Sequence, residues 1–439
     1  MSTHTRVWAG LCLAVMVATP AMAQTPDHPM TVRERPTGPP TSIEALVDKA
    51  LAESPSITAA WARVDASKGQ ITQASGRAGV EVMSEHRDDY TGLNRETAVG
   101  VSWPLELGRR QARINVAVDQ SAQAALTANE LARQVATRVR LAAVRALAAE
   151  RLLALTTQTV EAHHQWCDLL AERVRAGASS PLDRDAAEIE LRLGQAAVAK
   201  LRGEADARWV ELRAAAGLDP TAAISLTETL EEAVAAIRRD ALSETAGAVE
   251  DRPDVAIADS AIEIAEGKAS LARLEGKLDL KLSVTYMQSS SGFTPLVMLA
   301  NGSSASLKQT MGEIALGATI MLPSPTRASG ALASALAEKR AAQLDRDAVL
   351  IAARGEASAA AARDREAGRA LELFTTGLLE LGAHNLDVLR QSFDLGRVTR
   401  AEVIAEERRY RELQAAYVAA LQDAYEARAM WRQALGSVR

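Results

Sequence analysis

His163, His164 and Cys167 are the residues of this 439-residue chain whose types and spacing come closest to chemistry. Positions 163 and 167 stand i, i+4, the spacing that sets two metal ligands on one face of a helix. The group has only three members, and no similar group recurs elsewhere in the chain, so the three are weak metal candidates and a structural use is the preferred reading. There is no glycine-rich phosphate loop, no Gly-x-Ser-x-Gly nucleophile turn and no paired-ligand zinc motif. Neither an enzyme nor a bound cofactor is expected. Asp183 and Glu402 stand out differently: each lies six residues after a glycine, Gly177 or Gly396, that closes a long helical pattern. An acid there stabilises the start of a returning helix by about 0.3 to 1 kcal/mol, and Ser179, Ser180 and Thr399 are its capping candidates.

These residues belong to a larger unit that occurs twice. Pro104 and Pro323, Gly177 and Gly396, and Gly217 and Gly436 are all 219 residues apart. Glu188, Arg192, Gln195, Ala205 and Arg213 recur at the same offset as Glu407, Arg411, Gln414, Ala424 and Arg432. One offset held over more than a hundred residues reads as an internal duplication, with a first repeat over 41–217, a connecting segment over 218–250 and a second repeat over 251–439.

Residues 1–23 read as a cleaved export signal: Arg6, an apolar stretch from Val7 to Ala18, then Ala21-Met22-Ala23. A Pro-rich extended leader follows over 24–40. Cleavage leaves Cys167 as the single cysteine, so no intrachain disulfide can form. The formal charge of −6 argues against a nucleic-acid binder, which must neutralise phosphates. No later run is apolar enough for a transmembrane helix, so any membrane contact must be made by strands. Aromatics make up only 3% of residues while Ala, Leu and Val carry the apolar content, a profile of slender packed helices rather than one thick core.

Each repeat opens with helices restarted at Ser54-Pro55 or Arg252-Pro253, after which the period changes from 3.6 to 2. Leu278, Leu280, Leu282, Val284 and Tyr286 alternate with Asp279, Lys281, Ser283 and Thr285, and Ile314 to Leu322 and Thr97 to Trp103 do the same. Hairpins are expected over about 79–105 and 278–322, the second with a Ser/Gly-rich loop from Gln288 to Met311. Strands of about 9 to 11 residues with one oily face suit a tilted crossing of an outer membrane. The 68 residues from Arg109 to Ala176 contain neither Pro nor Gly, enough for one helix of about 100 Å. Its counterpart over about 326–395 holds five glycines and is expected to bend or fray. Return helices are expected over about 180–216 and 399–436, with Tyr410, Leu413, Tyr417 and Leu421 at coiled-coil spacing.

A hairpin, a long rod, a tight reversal and a return helix, all performed twice, resemble the outer-membrane efflux proteins of the TolC type. The residues carrying the resemblance are Val101-Ser102-Trp103-Pro104-Leu105-Glu106-Leu107-Gly108-Arg109-Arg110-Gln111, the restart Arg252-Pro253-Asp254-Val255, and Gly396-Arg397-Val398-Thr399-Arg400-Ala401-Glu402-Val403. The Pro-Leu-Glu-Leu-Gly-Arg-Arg stretch is most similar to the heavy-metal, cobalt-zinc-cadmium resistance branch.

The resemblance implies a mainly α fold with a small β part: a homotrimer with four strands per protomer in a 12-stranded barrel, helices forming a hollow periplasmic α-barrel, and residues 218–250 as its equatorial belt. It also implies a passive duct for heavy-metal cations, served by a periplasmic adaptor and an inner-membrane pump of the resistance-nodulation-division type. The tips, with Gly177, Ser179, Ser180, Asp183, Gly396, Arg397, Val398, Thr399, Arg400 and Glu402, would then form the periplasmic aperture and adaptor dock. Two positions depart from the family: Val398 stands where well-known members carry Arg, and Ala405 where a second acid is usual, so any ionic lock is absent or rebuilt from Arg397 and Arg400. A drug-efflux or type I secretion channel shares the fold. A soluble periplasmic coiled-coil scaffold would leave the oily strand faces uncovered.

Overall fold

The computed structural model describes residues 38–90, 94–240, 249–298, 300, 302 and 304–436. The expected export signal, the expected leader up to residue 37, the turn residues 91–93 and residues 241–248 of the expected equatorial belt lie outside the described residues. The chain runs β1 (Pro40–Thr41), α1 (Ile43–Glu53), α2 (Pro55–Ser75), β2 (Glu81–Asp88), β3 (Asn94–Leu105), α3 (Arg109–Arg175), α4 (Pro181–Ala215), β4 (Ser225–Leu226) and α5 (Leu230–Asp240). After a 3-10 turn at Val249–Asp251 come α6 (Pro253–Glu275), β5 (Asp279–Met298), β6 (Ser304–Met321), α7 (Pro325–Leu373), a wide turn at Phe374–Leu378, α8 (Leu379–Asp394) and α9 (Arg400–Ala434). Proline opens α2, α4, α6 and α7, where its fixed φ suits a first helical turn and its missing N–H costs nothing.

The first rod is a single helix of 67 residues, about 100 Å long. The second, over about 326–395, is interrupted, in keeping with the bend expected from its glycines. Its ladder breaks at Phe374–Leu378, where Gly377 adopts φ 114°. Only glycine takes that conformation without strain, while Gly330, Gly355, Gly368 and Gly382 stay helical.

Strands β2, β3, β5 and β6 form one antiparallel sheet in that order, so β3 pairs with β5 across the two halves of the chain. The expected loop from Gln288 to Met311 is mostly strand: β5 and β6 pair from Asp279↔Met321 out to Met298↔Ser304, with an irregularity between Phe293 and Val297. Serine-rich residues suggest a turn locally, yet on a solvated hairpin each added pair extends the ladder, and context overrides propensity. A smaller parallel pair joins β1 to β4, so the last leader residue, Pro40, is part of a sheet rather than free.

Helices pack four abreast at two levels. Nearer the sheet α3 packs on α2 and α6, and α6 on α7; towards the tips α3 packs on α4 and α9, and α9 on α7 and α8. The main core lies between these levels, where Leu46, Val139, Val144 and Leu212 meet Leu230, Val234 and Ile237 of α5 and Leu421 and Tyr425 of α9. Apolar burial is thus concentrated at a waist, while the rods beyond it rest on small patches such as Ala60, Val64 and Ala128.

Candidate membrane-facing sheet and helical tip

Strand register sorts the sheet into two chemically different faces. Val82, Val101, Val284 and Leu316 stand side by side across all four strands, and so do Ser84, Val99, Tyr286 and Ile314. Trp103, Leu282 and Ala318 form a third row, Leu105, Leu280 and Ile320 a fourth. These rows alternate with Glu81, Ser102, Ser283 and Gly317, with Met83, Gly100, Thr285 and Ala315, and with Glu85, Ala98, Met287 and Glu313 on the other face. The apolar rows are open in the single chain: Val284, Tyr286, Ile314 and Leu316 are all exposed. Towards the hairpin ends the same face turns polar, through His86, Thr97 and Gln288 and then Asp88, Arg95 and Ser290. An oily band bounded by a polar row is the pattern of a membrane strand, whose lipid-facing residues alternate with wet ones. Among the described residues, no helix is long and apolar enough to cross a membrane.

The Gly-Arg-Arg stretch clamps the sheet to the helices. Arg109 donates to the carbonyl oxygens of Leu274 and Lys277 and pairs with Asp279 at 3.1 Å, while Arg110 donates to Ser75 O at 2.7 Å. Both guanidinium groups thus donate to backbone oxygens at or just beyond the ends of α6 and α2.

At the far end the two reversals are built alike. Gly177 and Gly396 share φ 71°, and the following N–H groups return to the helices, Ala178 N to Arg173 O at 2.8 Å and Arg397 N to Ser392 O at 2.9 Å. No atom lies within 4 Å of a Cβ built on either glycine, so the positive φ rather than crowding selects glycine. Ser180 Oγ accepts from Leu182 N and Ser180 N donates to Asp183. Thr399 donates to Glu402 through both N, at 2.6 Å, and Oγ1, at 3.0 Å. Asp183 and Glu402 therefore close reciprocal caps. The hydrogen bonds from the Thr399 backbone and hydroxyl hold the Glu402 carboxyl below its ordinary range. Ser179 and Val398 are half-buried and Arg397 is exposed; the Arg400 side chain lies outside the described residues.

The histidines do not converge. His163 is 7% exposed and faces α9, whereas His164 is exposed and contacts Asp168 Oδ2 at 3.2 Å. Successive helical residues are about 100° apart, so neighbours in sequence point to different surroundings, and no group of three or more ligating side chains occurs among the described residues.

Sequence reasoning missed the buried charged ties. Arg252 is 4% exposed and donates to Asp254, Glu356 and the Ala434 carbonyl; its place before Pro253 was the available signal. Arg133 pairs with Glu130 and reaches Gln433 O at 2.6 Å. Glu190, buried on α4, receives Arg408 and Arg411 from α9.

Comparison with known proteins agrees with this architecture. Residues 46–218 match the model of the outer membrane efflux protein family. No curated protein matches the chain. Among solved structures, a membrane protein of Pseudomonas aeruginosa superposes with TM-score 0.73 at 18% identity, covering 92% of this chain and 99% of its own. The outer membrane protein VceC of Vibrio cholerae gives 0.70 at 17%, covering 90% and 96%. CusC, known from structures of its folding and transmembrane channel formation, gives 0.72 at 15%, covering 90% and 92%. Residues 46–218 thus match the outer membrane efflux protein family by sequence, and nine-tenths of the chain shares the fold of these solved outer-membrane proteins.

Proposed function

We propose that the chain is one protomer of a homotrimeric outer-membrane channel, the passive exit duct of a tripartite efflux system fed by an inner-membrane pump through a periplasmic adaptor. The observation that carries this reading is the exposed apolar face running across a four-stranded sheet whose edges, β2 and β6, do not meet within the chain. Unpaired strand edges under lipid are not tolerated, so copies must close them, and three copies supply 12 strands. The helices support the same closure. At both levels the layer is four helices wide with open edges, α2 or α4 on one side and α7 or α8 on the other. These edges carry exposed apolar residues at coiled-coil spacing, Leu182 and Ile189 on α4 and Leu381, Val388 and Leu395 at the end of the second rod. A head-to-tail ring would cover both stripes.

The two halves are read as a duplication. Gly217 rests on Ser54 and Gly436 on Arg252, so each return helix ends against the residue before a restarting proline. The paired tips, with Gly177, Ser179, Ser180, Asp183, Gly396, Arg397, Val398, Thr399, Arg400 and Glu402, form the aperture and the adaptor dock in this reading.

Heavy-metal cations are the proposed cargo. The Pro-Leu-Glu-Leu-Gly-Arg-Arg resemblance supports this, and so does the charge on the wet sheet face. In β2, β3, β5 and β6 that face carries Glu81, Glu85, Glu96, Asp279 and Glu313 against Arg87 and Lys281. An acidic lining favours cations. Deleting the gene and growing the strain on a panel of metals and drugs tests the assignment: metal sensitivity is expected, and sensitivity to detergents or antibiotics alone would remove the metal cargo while keeping the duct.

A further inference from the structure

His163 of α3 lines two cavities below the tip, one of about 520 Å3 bounded by α8 and α9 and one of about 310 Å3 bounded by α4 and α9. Glu407 of α9 is held between neighbouring helices. Its Oε1 accepts from Arg390 of α8 at 3.1 Å. Its Oε2 is shielded from solvent, has no hydrogen bond, and faces His163 Nε2 at 4.0 Å. The other charged groups lining the cavities are Arg408, Arg411 and Glu412 of α9 and Glu190 of α4, with Tyr410 the remaining titratable one. Arg408 and Arg411 both turn to Glu190. On α3 itself, His164 turns outward to Asp168, and Cys167 lies one turn on. Three arginines thus stand among three glutamates, and His163 is placed opposite the carboxylate oxygen that Arg390 leaves open.

We propose that His163 is a proton-operated latch between α3 and the α8–α9 hairpin. With a neutral imidazole, the 4.0 Å separation carries no ionic attraction. Proton uptake creates an imidazolium–carboxylate pair, and a small side-chain shift completes a charge-assisted hydrogen bond. Histidine is the side chain whose ordinary charge change falls between about pH 5 and 8. In this proposal the Glu407 carboxylate outweighs the desolvation that burial imposes on the imidazolium, so the packed state binds the proton better and acid favours packing. His163 lies 14 residues before Gly177, about 20 Å along the helix. The latch therefore stiffens the tip on acidification and, if the duct reading above holds, lowers conduction.

The test uses the full chain in lipid vesicles, with spin labels at Glu172→Cys on α3 and Arg409→Cys on α9 in a Cys167→Ser background, compared at about pH 7.5 and 5.5. The α3–α9 distance distribution should narrow at the lower pH, and His163→Gln should abolish the change. Glu407→Gln, made independently in case the first variant fails to fold, should abolish it too. An unchanged wild-type distribution, or a response that survives in either folded variant, overturns the latch. Ionic current across planar bilayers is read in parallel. A pH-dependent distance with no current refutes the duct and keeps the latch, whereas current with no pH-dependent distance keeps the duct and refutes the latch.

Discussion

Placing an arginine on each face of β5 separates a membrane sheet from a soluble one. Val284 lies within the apolar band, flanked in register by Val101 and Leu316, while Thr285 faces the other way between Gly100 and Ala315. Arginine near the mid-plane of a lipid-facing strand costs about 2 to 4 kcal/mol, roughly a 30- to 700-fold loss in the folding equilibrium of each protomer. On a water-facing sheet the cost is different. Val284 is already 52% exposed in the single chain, and a surface substitution there should fall within about 0.5 kcal/mol. Thr285→Arg should be mild in either setting, because its neighbours are small and its face is wet. Guanidinium-induced unfolding in lipid vesicles measures the difference directly. The expected order is wild type, then Thr285→Arg close to it, then Val284→Arg well below. Equal midpoints for the two arginine variants would refute lipid as the cover of this face, and with it the barrel reading.

Other perturbations test the helices. Gly396→Ala, which puts a Cβ at φ 71°, should cost about 1 to 2 kcal/mol although the site has room, and Gly177→Ala should match it; thermal melts compare the two. Arg252→Ala strands Asp254 and the Ala434 carbonyl, and its cost of about 3 to 5 kcal/mol should appear as faster amide exchange at the start of α6 and the end of α9. Glu402 has a lowered folded pKa, caused first by the Thr399 backbone hydrogen bond and then by its hydroxyl. Its capping contribution is therefore present above the ordinary carboxylate value and lost as pH falls through the lower, folded one, below about 4.3. Protection factors in the first turn of α9, corrected for intrinsic exchange, should drop over that window in the wild type and stay flat in Glu402→Gln.

Much of the helical and strand layout was legible because it rests on short-range rules. Pro-free apolar periodicity marks α3, proline marks the restarts, and alternation marks the strands around Val99, Val284 and Leu316. The break at Gly377 was less legible, since five glycines were equal candidates and the backbone uses one. The length of β5 and β6 was hidden by serines that favour turns in isolation but serve well on a solvated strand. At the tip, Asp183 and Glu402 were readable as acids at helix starts, and their reciprocal bonds to Ser180 and Thr399 follow from that spacing.

Spacing of 3.6 and 2, the cap residues and the 219-residue offset are properties of the sequence itself, because each concerns residues that neighbour one another or repeat along the chain. Tertiary structure alone decided what lies between distant elements. It paired β3 with β5, set Arg133 against Gln433, and turned His163 towards Glu407 while its neighbour His164 turned outward to Asp168. These contacts depend on the register of strands and the rotation of packed helices, and no local pattern encodes the partner that waits on the other side.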